Sequence, residues 1–77
     1  MVLYIKPGCG WCDQAVEWLE ARGIEFRAVD VFADRAAYER MRRISGQTLA
    51  PTLEMPDGSV LADFGTDQLG EFLAQRA

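Results

Sequence analysis

The 77-residue sequence predicts an α/β fold of order β-α-β-α-β-β-α, a four-stranded mixed sheet flanked by three helices. Three observations carry that prediction. An unbroken apolar run, Val2-Leu3-Tyr4-Ile5, opens the chain; a helical repeat of apolar residues follows and leads into a second strand-forming stretch; and Pro56-Asp57-Gly58-Ser59 places a turn between two short apolar segments. A chain of this length holds one domain, residues 1–77, and buries only about 60% of its unfolded surface, so its core must come from short, regular elements. With 49% hydrophobic and 26% charged residues the composition is that of a globular protein, with no repeat or low-complexity tract.

The elements follow in order. Val2 to Ile5 has the continuous apolar character of a strand buried on both faces. Pro7 and Gly8 turn the chain, and a helix from Cys9 or Gly10 to Arg22 is indicated by Cys12, Ala15, Val16 and Leu19 at i, i+3, i+4 and i+7, with Trp18 widening the apolar face and Gly23 as the stop. Ile24 to Val31 reads as a second strand, joined to the first in parallel by a right-handed crossover. Asp34 is a candidate N-cap for a second helix with Ala37, Tyr38, Met41 and Ile44 in one stripe, ended by Ser45-Gly46. Thr52–Met55 and Val60–Ala62 flank the turn and form a hairpin; Thr66 or Asp67 then opens a last helix carrying Leu69, Phe72 and Leu73 on one face.

Charge and length exclude several functions. A formal net charge of −4, with no His and no basic cluster beyond Arg40, Arg42 and Arg43, argues against nucleic acid or an anionic membrane as partner. Those arginines fit the C-terminal end of a helix, where the dipole favours cations. The apolar start breaks at Lys6-Pro7-Gly8, too early for a signal peptide or a membrane span, so a cytoplasmic location is expected. In a reducing compartment two cysteines are seldom a structural staple, and a bridge across two residues would constrain little chain entropy. A working thiol pair is the better reading.

That pair is Cys9-Gly10-Trp11-Cys12, set between the first strand and the first helix. Backbone N–H groups at a helix start favour a thiolate, and thiols so placed ionise at roughly pH 3.5–7.5 instead of about 8.5. Cys9 is therefore expected to be the nucleophile, with Lys6 adding positive charge nearby. Cys12, one turn in and facing the core, is expected to resolve the mixed disulfide while keeping a pKa closer to the free thiol's. Asp13 should oppose ionisation, more at Cys12 than at Cys9. A metal site is the chemical rival: two thiolates supply half a tetrahedral set, and with no His and no other Cys the remainder must come from a second chain or a small thiol. Two cysteines that only pack in the core are the bland alternative.

Together these segments resemble a glutaredoxin of the dithiol type, a member of the thioredoxin-fold superfamily, along nearly the whole chain. Lys6-Pro7-Gly8-Cys9-Gly10-Trp11-Cys12 is similar to the family's K-x-x-C-P-Y-C; Ser45-Gly46 before a loop ending in Pro51 is similar to S-G-x-x-T-V-P; a hairpin follows; and Gly65-Thr66-Asp67 resembles the end of a G-G-x-D turn. The resemblance implies a thioredoxin fold and a thiol-disulfide oxidoreductase, with Cys9 and Cys12 as catalytic residues and glutathione as co-substrate, not a tightly bound cofactor.

It further implies a cis Pro51 facing Cys9, with the Ala50 backbone pairing to the cysteinyl part of glutathione or of a substrate peptide. Lys6 would meet a glutathione carboxylate, Trp11 would wall the groove, and Thr66 with Asp67 would hold the γ-glutamyl end. Taken alone, Thr66 or Asp67 reads equally as a helix cap, and Lys6 as a surface lysine. Disulfide-containing proteins are the other expected partners, the protein acting as a monomer without a metal. Gly10 replaces the family's usual Pro, Thr48-Leu49-Ala50 its Arg-Thr-Val, and Phe64 its first turn Gly. Two other readings of the same resemblance are a redoxin recharged by thioredoxin reductase and a dimer binding an iron–sulfur cluster; a non-catalytic binding module is a third.

Overall fold

The computed structural model describes residues 1–76. Its elements run β1 (Val2–Ile5), α1 (Gly10–Ala21), β2 (Arg27–Asp30), α2 (Arg35–Ser45), β3 (Thr52–Glu54), β4 (Val60–Ala62) and α3 (Thr66–Ala74). The expected order β-α-β-α-β-β-α is what forms. The sheet order is β2-β1-β3-β4. β1 pairs in parallel with β2 and antiparallel with β3, which pairs antiparallel with β4, so the sheet is mixed.

Alternation along β1 divides the core in two. Leu3 points to one face, where it packs with Leu53 of β3, Ala15 and Leu19 of α1, Leu69 of α3, and Phe64. Tyr4 points to the other, against Val31 and Met41 of α2, with Val2, Val29 and Ala37 at the margin. Helices α1 and α3 therefore cover one face and α2 the other, as a strand with no polar face requires. Trp18, expected in the core, lies half-buried at the α1 surface under the Arg22 guanidinium, 3.7 Å from its ring centroid.

The helix signals act as read. Asp34 caps α2, its carboxylate accepting the Ala37 N–H at 3.1 Å, and Gly46 closes it in the left-handed conformation at φ 71°. The strand expected over Ile24–Val31 is shorter, because only Arg27–Asp30 align with β1. Ile24 and Phe26 instead turn in to pack on the α1/α3 core. The last helix is capped by Gly65, not by Thr66 or Asp67: the Gln68 side chain accepts the Gly65 N–H at 2.7 Å, which leaves Thr66 and Asp67 as the first two helical residues.

Of the three arginines expected at the end of α2, Arg42 and Arg43 are in its last turn, but Arg40 does something else. Its guanidinium forms an ion pair with Glu54 of β3, whose carboxylate also accepts the Tyr4 hydroxyl at 2.7 Å. Three elements are thereby tied on the α2 face. The Arg40 guanidinium holds the Glu54 carboxyl below its usual range, burial opposing it and the Tyr4 hydroxyl assisting. A carboxyl that is more acidic folded than unfolded stabilises the protein above the unfolded carboxyl range and loses that contribution as pH falls through the folded value. Glu54→Gln should therefore flatten the loss of stability between about pH 6 and pH 3, read as a smaller drop in the urea midpoint than the parent shows.

Candidate active site

The thiols stand at the carboxyl end of β1. Gly8, at φ 70°, makes the turn that a side chain would strain, and Cys9 becomes the N-cap of α1 in an extended conformation. Its sulfur occupies the place a Ser or Asp oxygen takes in an ordinary cap, accepting the Cys12 N–H at 3.2 Å. The Asp13 N–H bonds the Cys9 carbonyl at 3.1 Å and so starts the helical ladder from the same residue. The Cys12 N–H and the N-terminal end of α1 thus face the Cys9 sulfur.

Cys12 lies behind it with 1% of its surface exposed, and both cysteines are free thiols. Burial pushes the Cys12 thiol up to about 12, reinforced by its contact with Cys9 and opposed by the backbone N–H and the charge of Lys6. The expectation of a nearly free-thiol value for Cys12 is corrected: placing Cys12 on the inward face of α1 removes the water that would solvate its anion. Asp13, exposed in the first turn, is not among the groups acting on that proton.

The loop before β3 closes the site from the other side. The Ala50–Pro51 bond is cis, and the Cys9 sulfur approaches the Ala50 carbonyl at 3.8 Å. Gln47 fixes this loop, its side chain bonding Leu49 N–H at 2.6 Å and the Thr52 hydroxyl at 3.1 Å; Thr52, fully buried, returns a bond to the Leu49 carbonyl at 2.8 Å. Gln47 and Thr52 were not singled out from sequence. Two polar residues flanking a proline carry no pattern that distinguishes a loop brace from ordinary loop polarity.

Beside the thiols a groove of about 440 Å³ is lined by Trp11, Gln14, Gly65, Thr66, Asp67, Gln68 and Glu71. Trp11 leans toward the cap of α3: a Cβ built on Gly65 would stand 3.5 Å from its ring. The structure thus gathers Trp11, Thr66 and Asp67 in one groove, Ala50 and Pro51 against Cys9, and Lys6 against Cys12. Phe64, standing where the resemblance has a glycine, is a buried core plug. A second groove, of about 500 Å³ beside the Arg40–Glu54 pair, is lined at its far end by Met1, Met55 and Pro56, away from the thiols. Among the described residues no three His, Cys, Asp or Glu side chains converge, so a metal held by the two thiols would take its further ligands from outside the chain.

Because the native Cys12 holds its proton to about pH 12 while an unfolded thiol releases it near 9, rising pH between those values favours unfolding. The stabilisation is complete below the unfolded value and is lost toward the folded one. Cys12→Ser should flatten the alkaline limb of a stability–pH profile, measured as the urea midpoint of the reduced protein from about pH 8 to pH 11.

Comparison with known proteins agrees with this geometry. The Glutaredoxin family model matches residues 1–60. A glutaredoxin-like 8.6 kDa protein of the rubredoxin operon of Clostridium pasteurianum is 30% identical over 71 residues, 92% of this chain and 93% of that one. The gene 56 protein of Mycobacterium phage L5 is 30% identical over 73 residues, covering 95% of this chain and 71% of that protein. Among solved structures, the thioredoxin-like protein BC3987 superimposes with a TM-score of 0.82 at 28% identity, over 91% of this chain and 94% of that one; a variant of it reaches 0.84 at 29%. No helix of the chain is long and apolar enough to cross a membrane, among the described residues.

Proposed function

As the chain belongs to the glutaredoxin family, we propose that it is a thiol-disulfide oxidoreductase cycling between the Cys9/Cys12 dithiol and their disulfide. The observation that carries this reading is the Cys9 sulfur as N-cap of α1, accepting the Cys12 N–H at 3.2 Å, with the second thiol buried one turn behind it. The Cys9 thiolate attacks one sulfur of a substrate disulfide; that S–S bond breaks, the other sulfur leaves as a thiolate and takes a proton, and a Cys9 mixed disulfide remains. Cys12 then loses its proton, attacks the Cys9 sulfur and expels the second substrate thiol. The Cys9–Cys12 disulfide so formed holds the oxidising equivalents, and the substrate has gained two electrons and two protons. Two glutathione molecules, becoming glutathione disulfide, would return the pair to the dithiol.

Burial orders these steps. A Cys12 thiol at about 12 is almost wholly protonated at neutral pH, so it does not compete with Cys9 for the first attack. In the mixed disulfide the Cys9 sulfur is the electrophile, and Cys12 attacks it as its thiolate, its proton passing to the departing substrate thiolate. Glutathione would lie across the site with its cysteinyl part at Ala50 and Pro51, a carboxylate toward Lys6, Trp11 as wall, and its γ-glutamyl end at α3. There the Thr66 and Asp67 N–H groups, which an α-helix leaves without internal partners, would take the carboxylate, and the Asp67 side chain the ammonium.

Cys9→Ser should lower reduction of every disulfide by more than about 100-fold, whereas Cys12→Ser should keep turnover of glutathione mixed disulfides and lose that of protein disulfides. Equal residual activity in the two variants would refute the division of labour. Turnover of a small mixed disulfide, compared with glutathione plus glutathione reductase and with thioredoxin reductase as the recycling system, tests the electron donor. Glutathione is expected to sustain it; turnover only with thioredoxin reductase would remove the glutathione roles of Lys6, Trp11, Thr66 and Asp67.

A further inference from the structure

The α2 face of the sheet is only partly covered. Residues partnered in register point to the same face, so two rows cross it side by side: Val29, Tyr4 and Thr52, and then Arg27, Val2 and Glu54. The first row is closed, since Tyr4 packs against Met41 of α2 and Thr52 is fully buried. The second row stays open, with Val2 half-buried and Arg27 exposed. The first turn of α2 explains the difference. It presents Ala36 and Ala37 here, side chains that fill little space, and the room they leave is the groove of about 500 Å³ beside the Arg40–Glu54 pair. That volume lies in the range of about 300–1,000 Å³ that small-molecule sites occupy.

Charge decides what such a space suits. Four charged side chains line it: Arg27, Asp34, Arg40 and Glu54. Three of them are already engaged. The Asp34 carboxylate accepts the Ala37 N–H as the cap of α2, and Arg40 and Glu54 form an ion pair whose carboxylate also takes the Tyr4 hydroxyl. Arg27 has no carboxylate within ion-pair distance among the described residues, so the unpaired charge of the groove is positive. From Arg27 to Glu54 is two strand spacings, about 10 Å, and Val2 lies between them. The groove is thus an apolar floor with one available cation at its β2 end.

We propose that this groove binds small amphipathic carboxylates, the carboxylate meeting the Arg27 guanidinium and an apolar body of up to about 10 Å lying along Val2 beneath Ala36 and Ala37. A cationic head would find only like charge at that end. The site lies away from the thiols and does not depend on disulfide exchange.

The test is a titration of the reduced, uniformly 15N-labelled protein followed by amide chemical shifts. Octanoate is the probe; acetate supplies the charge without the body, and octylammonium the body with the opposite charge. Octanoate is expected to saturate with a Kd on the order of 0.1–1 mM, as about ten non-hydrogen atoms allow. Its shifts should centre on Val2, Arg27, Ala36 and Ala37, and both controls should bind at least about fivefold more weakly. Arg27→Gln should weaken octanoate by about fivefold or more, and Ala36→Leu, which fills the groove, by at least about tenfold. Both positions are exposed, so each variant should keep the parent Tm. Arg43→Gln, an exposed α2 arginine outside the groove, should bind as the parent does. No saturation by 10-fold above that range, equal binding of either control, shifts centred on Cys9–Asp13 or Thr66–Gln68, or parental affinity in Arg27→Gln would each overturn the site and leave the thiol chemistry untouched.

Discussion

Enclosure of β1 is the constraint on which the structure depends. The strand has a hydrogen-bonded neighbour on each edge and a helical layer on each face, so its four residues fix the positions of β2, β3, α1 and α2 at once. Its carboxyl end is then the one place where a turn, a helix N-terminus and the loop before β3 must meet. The thiol pair is built at that junction. The Cys9 sulfur faces the Cys12 N–H because the chain turns at Gly8 after β1 ends at Ile5, and it faces Ala50 because β3 returns beside β1.

The two faces of the sheet divide the work. The α1/α3 face is purely apolar at its centre and carries the active helix; Phe64 completes it from the segment joining β4 to α3. The α2 face is stitched by a polar triad, Tyr4, Arg40 and Glu54, with no buried polar side-chain atom left unpaired among the described residues. The sheet is held by apolar packing on one side, and on the other by the Tyr4, Val31 and Met41 cluster together with partnered charge.

Much of this was legible in the sequence. The periodicities of β1 and α1, the Asp34 cap, the Gly46 stop and the Pro56–Ser59 turn are local signals whose physics is complete within a few residues, and each element formed where its signal lay. The cysteine pair was legible for the same reason, since its chemistry follows from standing between a strand and a helix. What was not legible depended on contacts distant in sequence. The pairing of Arg40 with Glu54 needs α2 laid against β3, the high pKa of Cys12 needs the packing of a whole face, and the shortness of β2 reflects how few residues β1 offers as partners. The cap of α3 is Gly65, which has no side chain to accept from the first turn; the Gln68 side chain, three residues on, instead accepts the Gly65 N–H.

Gly10 opens a different line. It is the first helical residue after Cys9, and a Cβ built there would meet no atom within 4 Å. The position is thus sterically vacant, lies outside both core clusters, and sits between the two sulfurs along the chain. Glycine leaves that turn soft, since it has no Cβ to restrict its backbone. Under the proposed dithiol–disulfide cycle, the stiffness of this turn would bear on the relative stability of the two forms without altering the packing of the scaffold.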